Sequence, residues 1–184
     1  MKALLVRLSS IGDVVHTLPA LAALHAHDWE AGWIVEPAAR PLLDRHPFLA
    51  HLATAPPARA FRLNAARATL KGLRQQAYGV ALDFQGLWKS AAWARLSGAE
   101  RVLGFARTWR REPGSAFLLT ERVELPPAAT HVIDKNLALL RPLGIEAVGS
   151  REFPLPPTPG AAARVAAAVQ GFGPGDFVVL NPGG

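Results

Sequence analysis

The sequence contains no cysteine among its 184 residues. Disulfide bonds and thiolate metal sites are therefore excluded, and the composition fits a protein of the cytoplasm. Every apolar run falls short of the roughly 18 residues that a membrane-spanning helix requires. The apolar start is also too short for a signal peptide, because it leads directly into Arg7 and a turn. We therefore expect a cytoplasmic protein without a membrane-spanning segment.

Common nucleotide-binding and metal-binding motifs are missing as well. No G-x-G-x-x-G follows the first apolar run, which argues against a nicotinamide enzyme, and no G-x-x-x-x-G-K-[ST] indicates a phosphate loop. The sequence has no Asp-x-Asp pair, and its six histidines form no cluster with ligand spacing. We therefore expect no resident metal and no bound cofactor.

Positive charge is concentrated in the middle of the chain. The whole sequence carries a net charge of +6, and residues 59–111 alone hold eleven Lys and Arg against two acids. A segregated field of this kind indicates an anionic partner. Arg59 and Arg62 lie in a loop where no packing requires them. The helix that follows carries further cations on one face, which is equally typical of a solvated surface.

The chain alternates short apolar runs with amphipathic stretches, as α/β proteins do. This pattern predicts strands at residues 3–6, 32–36, 51–55, 79–84, 101–103 and 177–180, and an extended segment at 117–125. It predicts one helix after the first strand and further helices at residues 37–44, 64–77, 87–96, 131–143 and 161–170, with a basic loop at 106–115. We therefore expect a Rossmann-like α/β fold, a mostly parallel sheet with helices on both faces.

The loop after the first strand is the first candidate site, because open α/β sheets bind ligands at the carboxyl ends of their strands. Gly12 lets a ligand approach the backbone, and Ser9 and Ser10 offer hydroxyl groups. Asp13 is the one carboxylate of this loop. It is either an N-cap of the next helix or, if that helix begins nearer Thr17, a group that is free for chemistry.

A second polar loop follows the predicted strand at residues 79–84, and in a doubly wound sheet it faces the same crevice. Gln85 can donate to and accept from sugar hydroxyls, Gly86 allows close approach, and Lys89 offers a charge to a carboxylate or phosphate. The alternative is structural: Asp83 caps the following helix and Lys89 is solvated.

A third segment, Arg107–Arg111, places a tryptophan among arginines. Such a segment can stack on nucleic-acid bases, lie at a lipid headgroup layer, or form an ordinary surface loop.

These motifs resemble those of the bacterial ADP-heptose:lipopolysaccharide heptosyltransferases, which form glycosyltransferase family 9. The resemblance spans nearly the whole chain. It rests on residues Leu5–Leu21, Asp83–Ser90 and Arg111–Pro113, and on His131 at the start of a helix. It implies the GT-B arrangement, in which two Rossmann-like domains face each other across a cleft.

The resemblance also implies how the chain divides. Residues 1–157 would form the N-terminal, acceptor-binding domain. Residues 158–184 would form an interdomain segment and the first strand of a C-terminal, nucleotide-sugar-binding domain. A strand and turn at residues 177–184 normally feed a helix, and none follows. We therefore interpret the chain as part of a longer protein, with a natural single-domain protein as the alternative.

The activity implied by the resemblance is inverting transfer of L-glycero-D-manno-heptose from ADP-heptose to a Kdo hydroxyl of Kdo2-lipid A, without a metal. Asp13 is the candidate general base. The candidate acceptor-binding residues are Ser9, Ser10, Gly12, Arg59, Arg62, Gln85, Gly86, Lys89 and Arg111. Because ADP-heptose would need the second domain, we expect this chain alone to be inactive.

The expected partners are the phosphorylated glycolipid and the anionic surface of the inner membrane, with the protein peripheral on the cytoplasmic face. One alternative is a related heptosyltransferase with a different acceptor, either a later inner-core heptose or a protein. A more distant alternative is a nucleic-acid-binding α/β module. Asp13 and Glu36 near the crevice would repel phosphate, so we expect no nucleic acid.

Overall fold

A computed structural model gives the fold of the chain and describes residues 1–56, 63–147, 151–156 and 160–172. The strands are β1 (Lys2–Val6), β2 (Glu30–Val35), β3 (Leu49–Thr54), β4 (Val80–Asp83), β5 (Arg101–Phe105) and β6 (Glu121–Val123). The α-helices are α1 (Ile11–Val15), α2 (Leu18–Ala26), α3 (Leu63–Gln75), α4 (Trp88–Leu96), α5 (Val132–Ala138) and α6 (Ala161–Val169). Short 3-10 helices span Arg40–Leu42, Arg107–Trp109, Pro113–Leu118 and Arg141–Leu143.

The strands form one parallel sheet in the order β3-β2-β1-β4-β5-β6. Strand order reverses between β1 and β4, whose last residues Val6 and Asp83 are register partners. The loops after these two strands therefore start side by side, at the point where doubly wound sheets bind ligands. The predicted Rossmann-like α/β fold is confirmed.

Two apolar cores cover the two faces of the sheet. Leu5 of β1 packs with α2 and α5 on one face, whereas Leu4 packs with α3 and α4 on the other. Neighbouring residues of β1 are thus buried on opposite faces, which explains why β1 is an unbroken apolar run in the sequence. The two cores therefore bury both faces of the central strands β1 and β4.

Prolines account for the helices that differ from the expected bounds. The single helix expected after β1 is two helices, α1 and α2, because Pro19 has no N–H to donate to the carbonyl of Val15. The side-chain amide of Asn136 donates to the backbone carbonyl of His16 (3.0 Å) at this junction. The broken helix is therefore stabilised by a contact that is distant in sequence.

Two other helix predictions were too long for the same reason. The helix expected at residues 37–44 is only a 3-10 turn that contains Pro41, and the helix expected at 131–143 ends at Ala138, before Pro142. Proline restricts the residue before it and cannot donate the hydrogen bond that would continue an α-helix. Gly144 then closes the last turn in a left-handed conformation with φ of 78°.

The remaining strand and helix predictions hold with shifted ends, apart from the segment at residues 117–125. Its first residues belong to a 3-10 helix, and only Glu121–Val123 is a strand. The strand predicted at residues 177–180 and the boundary at residue 157 lie outside the described residues. Within the described ranges, no helix is long and apolar enough to cross a membrane.

Candidate active site

The loop after β1 leads directly into α1. Ser10 is the N-cap, and Asp13 is the third residue of the helix. One carboxylate oxygen of Asp13, Oδ2, accepts hydrogen bonds from the backbone N–H (3.3 Å) and the hydroxyl (3.2 Å) of Ser10. The helix therefore begins at Ile11 and not near Thr17, and Asp13 is not its N-cap. The Asp13 side chain nevertheless stays 40% exposed.

The other oxygen of Asp13 is held by an arginine that sequence reasoning did not single out. Arg7 lies at the end of β1, and its Nη2 is 2.7 Å from Oδ1 of Asp13. The Arg7 side chain is only 9% exposed, and its Nη1 donates to the backbone carbonyl of Phe84. The sequence does contain a signal for Arg7: it is a cation that directly follows an apolar strand and precedes the carboxylate by six residues.

The electrostatic balance of this pair favours its charged form. Partial burial acts to raise the pKa of Asp13, but the Arg7 charge and the hydrogen bonds from Ser10 and Arg7 outweigh it and lower the pKa. Burial lowers the pKa of Arg7 more than Asp13 and Asp83 raise it. Arginine nevertheless stays protonated, because its ordinary pKa lies so far above neutrality. Asp13 is therefore a carboxylate at neutral pH.

Gln85 joins the two loops at the carboxyl edge of the sheet. Its Oε1 accepts from the backbone N–H of Leu8 (3.0 Å), and its Nε2 lies 3.4 Å from the hydroxyl of Ser9. The preceding carboxylate, Asp83, accepts backbone hydrogen bonds from Gln85 (3.1 Å) and Gly86 (3.2 Å). Asp83 thus shapes the turn after β4 rather than capping α4.

Adjacent arginines after β5 have opposite environments. Arg110 is buried, and its Nη2 lies 2.5 Å from Oδ2 of Asp83 while its Nε donates to Ser115 (2.8 Å). Arg111 is exposed and lines the candidate pocket. The buried Asp83–Arg110 ion pair ties the loop after β5 to the end of β4, so Asp83 is inaccessible to a substrate.

Glu112 fixes the orientation of the same loop. Its carboxylate accepts from the backbone N–H of Trp88 (2.5 Å) at the start of α4, and its own N–H donates to the carbonyl of Gly86 (3.1 Å). Gly86 has φ of 71°, and an added Cβ would lie 3.4 Å from Arg110 Cα. The close approach of the two loops therefore favours glycine at this position.

These loops enclose a polar pocket of about 300 Å³. Five of the candidate site residues line it together with Arg7 and Leu87, namely Ser9, Ser10, Asp13, Gln85 and Arg111. A separate open pocket beside it, lined in part by Glu36, contains Gly12. The structure therefore brings the first-loop carboxylate, two hydroxyls, an amide and two arginines to one place.

The other candidate residues are placed differently. Lys89 forms an ion pair with Glu36 instead of pointing freely into the crevice or into solvent, and it is not among the residues that line the Asp13 pocket. Gly86 is buried beneath the loops. Arg59 and Arg62 lie outside the described residues, so their role in acceptor binding stays a prediction.

The cations of α3 form an exposed basic face. Arg67 and Lys71 make no ion pair or side-chain hydrogen bond with any residue that the structure describes, and Arg74 donates to the carbonyl of Leu96 (3.0 Å). The helix contains no acidic residue. Beside it, an apolar groove runs between α3 and α4, lined by Leu70 and its neighbours.

Among the described residues, histidines and acidic residues do not form a metal-binding cluster. His16 packs edge-to-face against His131, with ring centroids 5.7 Å apart, and the His131 ring nitrogen accepts from the N–H of Ile133 at the start of α5. Across residues 1–56, 63–147, 151–156 and 160–172, no group of three or more His, Cys, Asp or Glu could hold a metal ion.

Known proteins with similar sequences and structures agree with this architecture. The sequence model of glycosyltransferase family 9 (heptosyltransferase) matches residues 66–182. The chain is 36% identical over 123 residues to lipopolysaccharide heptosyltransferase 1 of Pseudomonas aeruginosa, an alignment that covers 61% of this chain and 34% of that protein.

Solved structures give the same result. The E. coli heptosyltransferase WaaC with ADP is similar at a TM-score of 0.72 and 25% identity, over 82% of this chain and 50% of that chain. E. coli heptosyltransferase WaaC with ADP-2-deoxy-2-fluoro heptose is similar at a TM-score of 0.71 and 26% identity, over 82% and 51% of the two chains. The chain thus spans about half the length of these structures.

Proposed function

The chain belongs to glycosyltransferase family 9, the heptosyltransferases, and we propose that it forms the acceptor-binding half of an inverting enzyme of that family. The proposed reaction moves L-glycero-D-manno-heptose from ADP-heptose to a Kdo hydroxyl of Kdo2-lipid A. The observation that carries the proposal is the Asp13 pocket, in which one accessible carboxylate stands among two arginines, two serines and Gln85.

The proposed chemistry assigns Asp13 as the general base. When ADP leaves, the anomeric carbon gains oxocarbenium character, and an acceptor hydroxyl attacks it from the opposite face. That hydroxyl is a poor nucleophile at neutral pH, so a base must take its proton as the bond forms. The lowered pKa of Asp13 favours the ionised carboxylate, which is the form that can accept a proton. Base assistance of this kind is typically worth about 10²–10⁴-fold in rate.

The remaining pocket groups suit an acidic sugar acceptor. Arg111 offers a planar set of donors to a carboxylate or phosphate, and the hydroxyls of Ser9 and Ser10 can bond sugar hydroxyls. Gln85 is already engaged with Leu8 and Ser9, so its first contribution is to hold the two loops in register. Lys89 would reach the acceptor only by leaving Glu36.

The donor belongs to a second domain in this proposal. The similar E. coli structures are described with ADP and with ADP-2-deoxy-2-fluoro heptose, and this chain covers about half of each. We therefore propose that ADP-heptose binds mainly to sequence beyond this chain, and that the chain alone is inactive. Transfer without a resident metal is part of the same proposal, and unchanged turnover after dialysis against a chelator is the expected result.

The membrane is the second proposed partner. Arg67 and Lys71, which have no ion-pair partner among the residues that the structure describes, lie on α3. The amino-terminal end of α3 follows β3 on the edge of the sheet that carries the pocket. An anionic bilayer would satisfy these charges while presenting the glycolipid acceptor. We propose that the protein acts as a peripheral protein on the cytoplasmic face of the inner membrane.

Acceptor comparison tests the function directly. The chain is extended past Gly184 into a second domain and incubated with ADP-heptose and one of three acceptors: Kdo2-lipid A, an inner core that already carries heptose, or a protein. Mass spectrometry should detect heptose only on Kdo2-lipid A. Transfer to either of the other acceptors in preference to Kdo2-lipid A would replace the proposed acceptor, and transfer to none would reject the proposed reaction.

A further inference from the structure

Arg7 is anchored at both ends where β1 meets the pocket. Its guanidinium donates to the Phe84 carbonyl through Nη1 and contacts Asp13 Oδ1 at 2.7 Å through Nη2. Its backbone carbonyl accepts from Trp33 Nε1 at 3.1 Å. Because the side chain is only 9% exposed, the guanidinium cannot move far from the carboxylate.

The two oxygens of Asp13 have different partners. Oδ1 faces Arg7, and Oδ2 accepts from the N–H and hydroxyl of Ser10. A carboxylate offers about four lone-pair positions, so these three contacts fix its plane without exhausting its capacity to accept. The 40% of the Asp13 side chain that is exposed provides the remaining access.

From these contacts we propose that Arg7 is a positioning residue for the general base: its guanidinium holds the Asp13 carboxylate in the orientation that accepts the proton of the acceptor hydroxyl. The inference rests on the proposed function, since it takes Asp13 to be the base. Arg7 itself does not exchange a proton in this scheme. The proton passes from the hydroxyl to Asp13 as the new glycosidic bond forms and the bond to ADP breaks.

The contact also sets the pH range in which the base works. Two charged groups face Asp13 in the pocket: Arg7, which directly follows β1, and Arg111 from the loop after β5. Asp83 at the end of β4 acts on Arg7. Arg7 lies closest and lowers the pKa of Asp13 against the opposing effect of burial. Without Arg7, Asp13 would protonate at a higher pH and the acid limb of activity would move upward.

A purely structural role makes a different forecast. If Arg7 only ties β1 to the end of β4 through Phe84, its replacement lowers the melting temperature and leaves the titration of Asp13 unchanged. The titration of Asp13 therefore separates the two roles.

The first experiment uses the 184-residue chain without substrate. The side-chain carboxyl ¹³C resonance of Asp13 is titrated in the wild type, in Arg7→Lys and in Arg7→Gln. The midpoint should rise by about one pH unit or more in Arg7→Gln and much less in Arg7→Lys, which keeps a cation. Arg101→Gln is the matched control, because Arg101 pairs with Glu121 away from the pocket and should not shift Asp13.

A second measurement keeps the test decisive if Arg7→Gln fails to fold. In the wild type, the Arg7 guanidinium ¹⁵N resonances should change with the same midpoint as the Asp13 carboxyl. If the Arg7 resonances do not change as Asp13 is protonated, the inference is overturned.

The kinetic experiment uses the chain extended into a second domain. In Arg7→Gln, the acid limb of kcat/KM should move to higher pH and maximal turnover should fall roughly tenfold or more, with Arg7→Lys restoring most of both. If the acid limb of Arg7→Gln stays in place while Asp13→Asn is inactive, the proposed role of Arg7 is rejected and Asp13 remains the proposed base. Full turnover in Asp13→Asn instead rejects the proposed base, so the two failures are distinguishable.

Discussion

At the scale of single residues, Asp13 is the proposed general base and also the ion-pair partner of Arg7. We expect Asp13→Asn in the extended chain to lower turnover by about 10²-fold or more, because the proton acceptor is lost. The sequence alone suggested that Asn would preserve stability, since Asn caps helices about as well as Asp. In the structure, Asp13 is the direct ion-pair partner of the buried Arg7, so Asn would remove that partner and the free energy of unfolding should fall by roughly 1–3 kcal/mol.

Measuring the melting temperature and the turnover of the same variants separates these effects. Asp13→Ala also loses the contacts with Ser10 and should be less stable than Asp13→Asn. The double variant Asp13→Asn/Arg7→Gln removes both charges and should regain part of the lost stability without regaining turnover. An Asp13→Asn enzyme within a few-fold of the wild-type rate would contradict the assignment. Asp83 could not take over as base, because it is buried in its ion pair with Arg110.

Gly32 illustrates a residue whose importance is steric. A Cβ added to Gly32 in β2 would lie 2.0 Å from Oη of Tyr78, and that hydroxyl is 3.0 Å from Nδ1 of His51. Tyr78 is 4% exposed, so its ring would have to shift within the apolar core to relieve the clash. We expect Gly32→Ala to lower the free energy of unfolding by about 1–3 kcal/mol, measured by urea denaturation.

The control for this substitution is Gly79→Ala, because the added Cβ would meet its nearest atom at an ordinary 3.8 Å. Its effect should be clearly smaller than that of Gly32→Ala. Equal losses in the two variants would show that the clash with Tyr78 does not decide the result, because the lower backbone entropy of alanine in the unfolded chain acts in the stabilising direction.

At the scale of secondary-structure elements, α3 is the candidate membrane contact. The double variant Arg67→Gln/Lys71→Gln should bind vesicles of equal parts phosphatidylcholine and phosphatidylglycerol roughly tenfold or more weakly. It should also show a flatter dependence on salt, because fewer charges pair with lipid headgroups. Co-sedimentation over a salt series measures both quantities.

The matched control removes two cations elsewhere, Arg45→Gln and Arg141→Gln, and so has the same net charge. Arg45 precedes the start of β3. Arg141 lies in the turn after α5, and the backbone carbonyl of the next residue, Pro142, accepts from Arg101 at the start of β5. Both positions are near the amino-terminal edge of the sheet, away from the pocket. If the two double variants bind vesicles equally well, the cations of α3 are only a solvated face.

At the scale of the whole molecule, the decisive question is where the nucleotide sugar binds. The chain covers about half of the E. coli structures that it resembles. We expect isothermal titration calorimetry to show ADP-heptose binding to a chain extended past Gly184 into a second domain, and no specific binding to the 184-residue chain. Tight, specific binding of ADP-heptose to the 184-residue chain would contradict the placement of the donor site in a second domain.

The sequence by itself determined the fold class and indicated which loops form the candidate pocket. The short apolar runs at residues 3–6 and 79–84, each followed by a polar loop, marked two strand-to-loop junctions. Parallel strands must bring such junctions to one edge of the sheet. Local patterns suffice for this, because strand burial and turn chemistry are encoded in neighbouring residues. The same patterns misplaced the helix ends at Pro19, Pro41 and Pro142, where the effect of proline was underestimated.

Only the tertiary structure decided the partners of the charged side chains. Arg7 pairs with Asp13, Arg110 with Asp83 and Lys89 with Glu36, and the last two pairs are separated by 27 and 53 residues in the chain. Adjacent arginines at 110 and 111 look alike in sequence, yet one is buried in an ion pair and the other faces the pocket. An ion pair depends on where two chain segments meet in space, and no local periodicity contains that information.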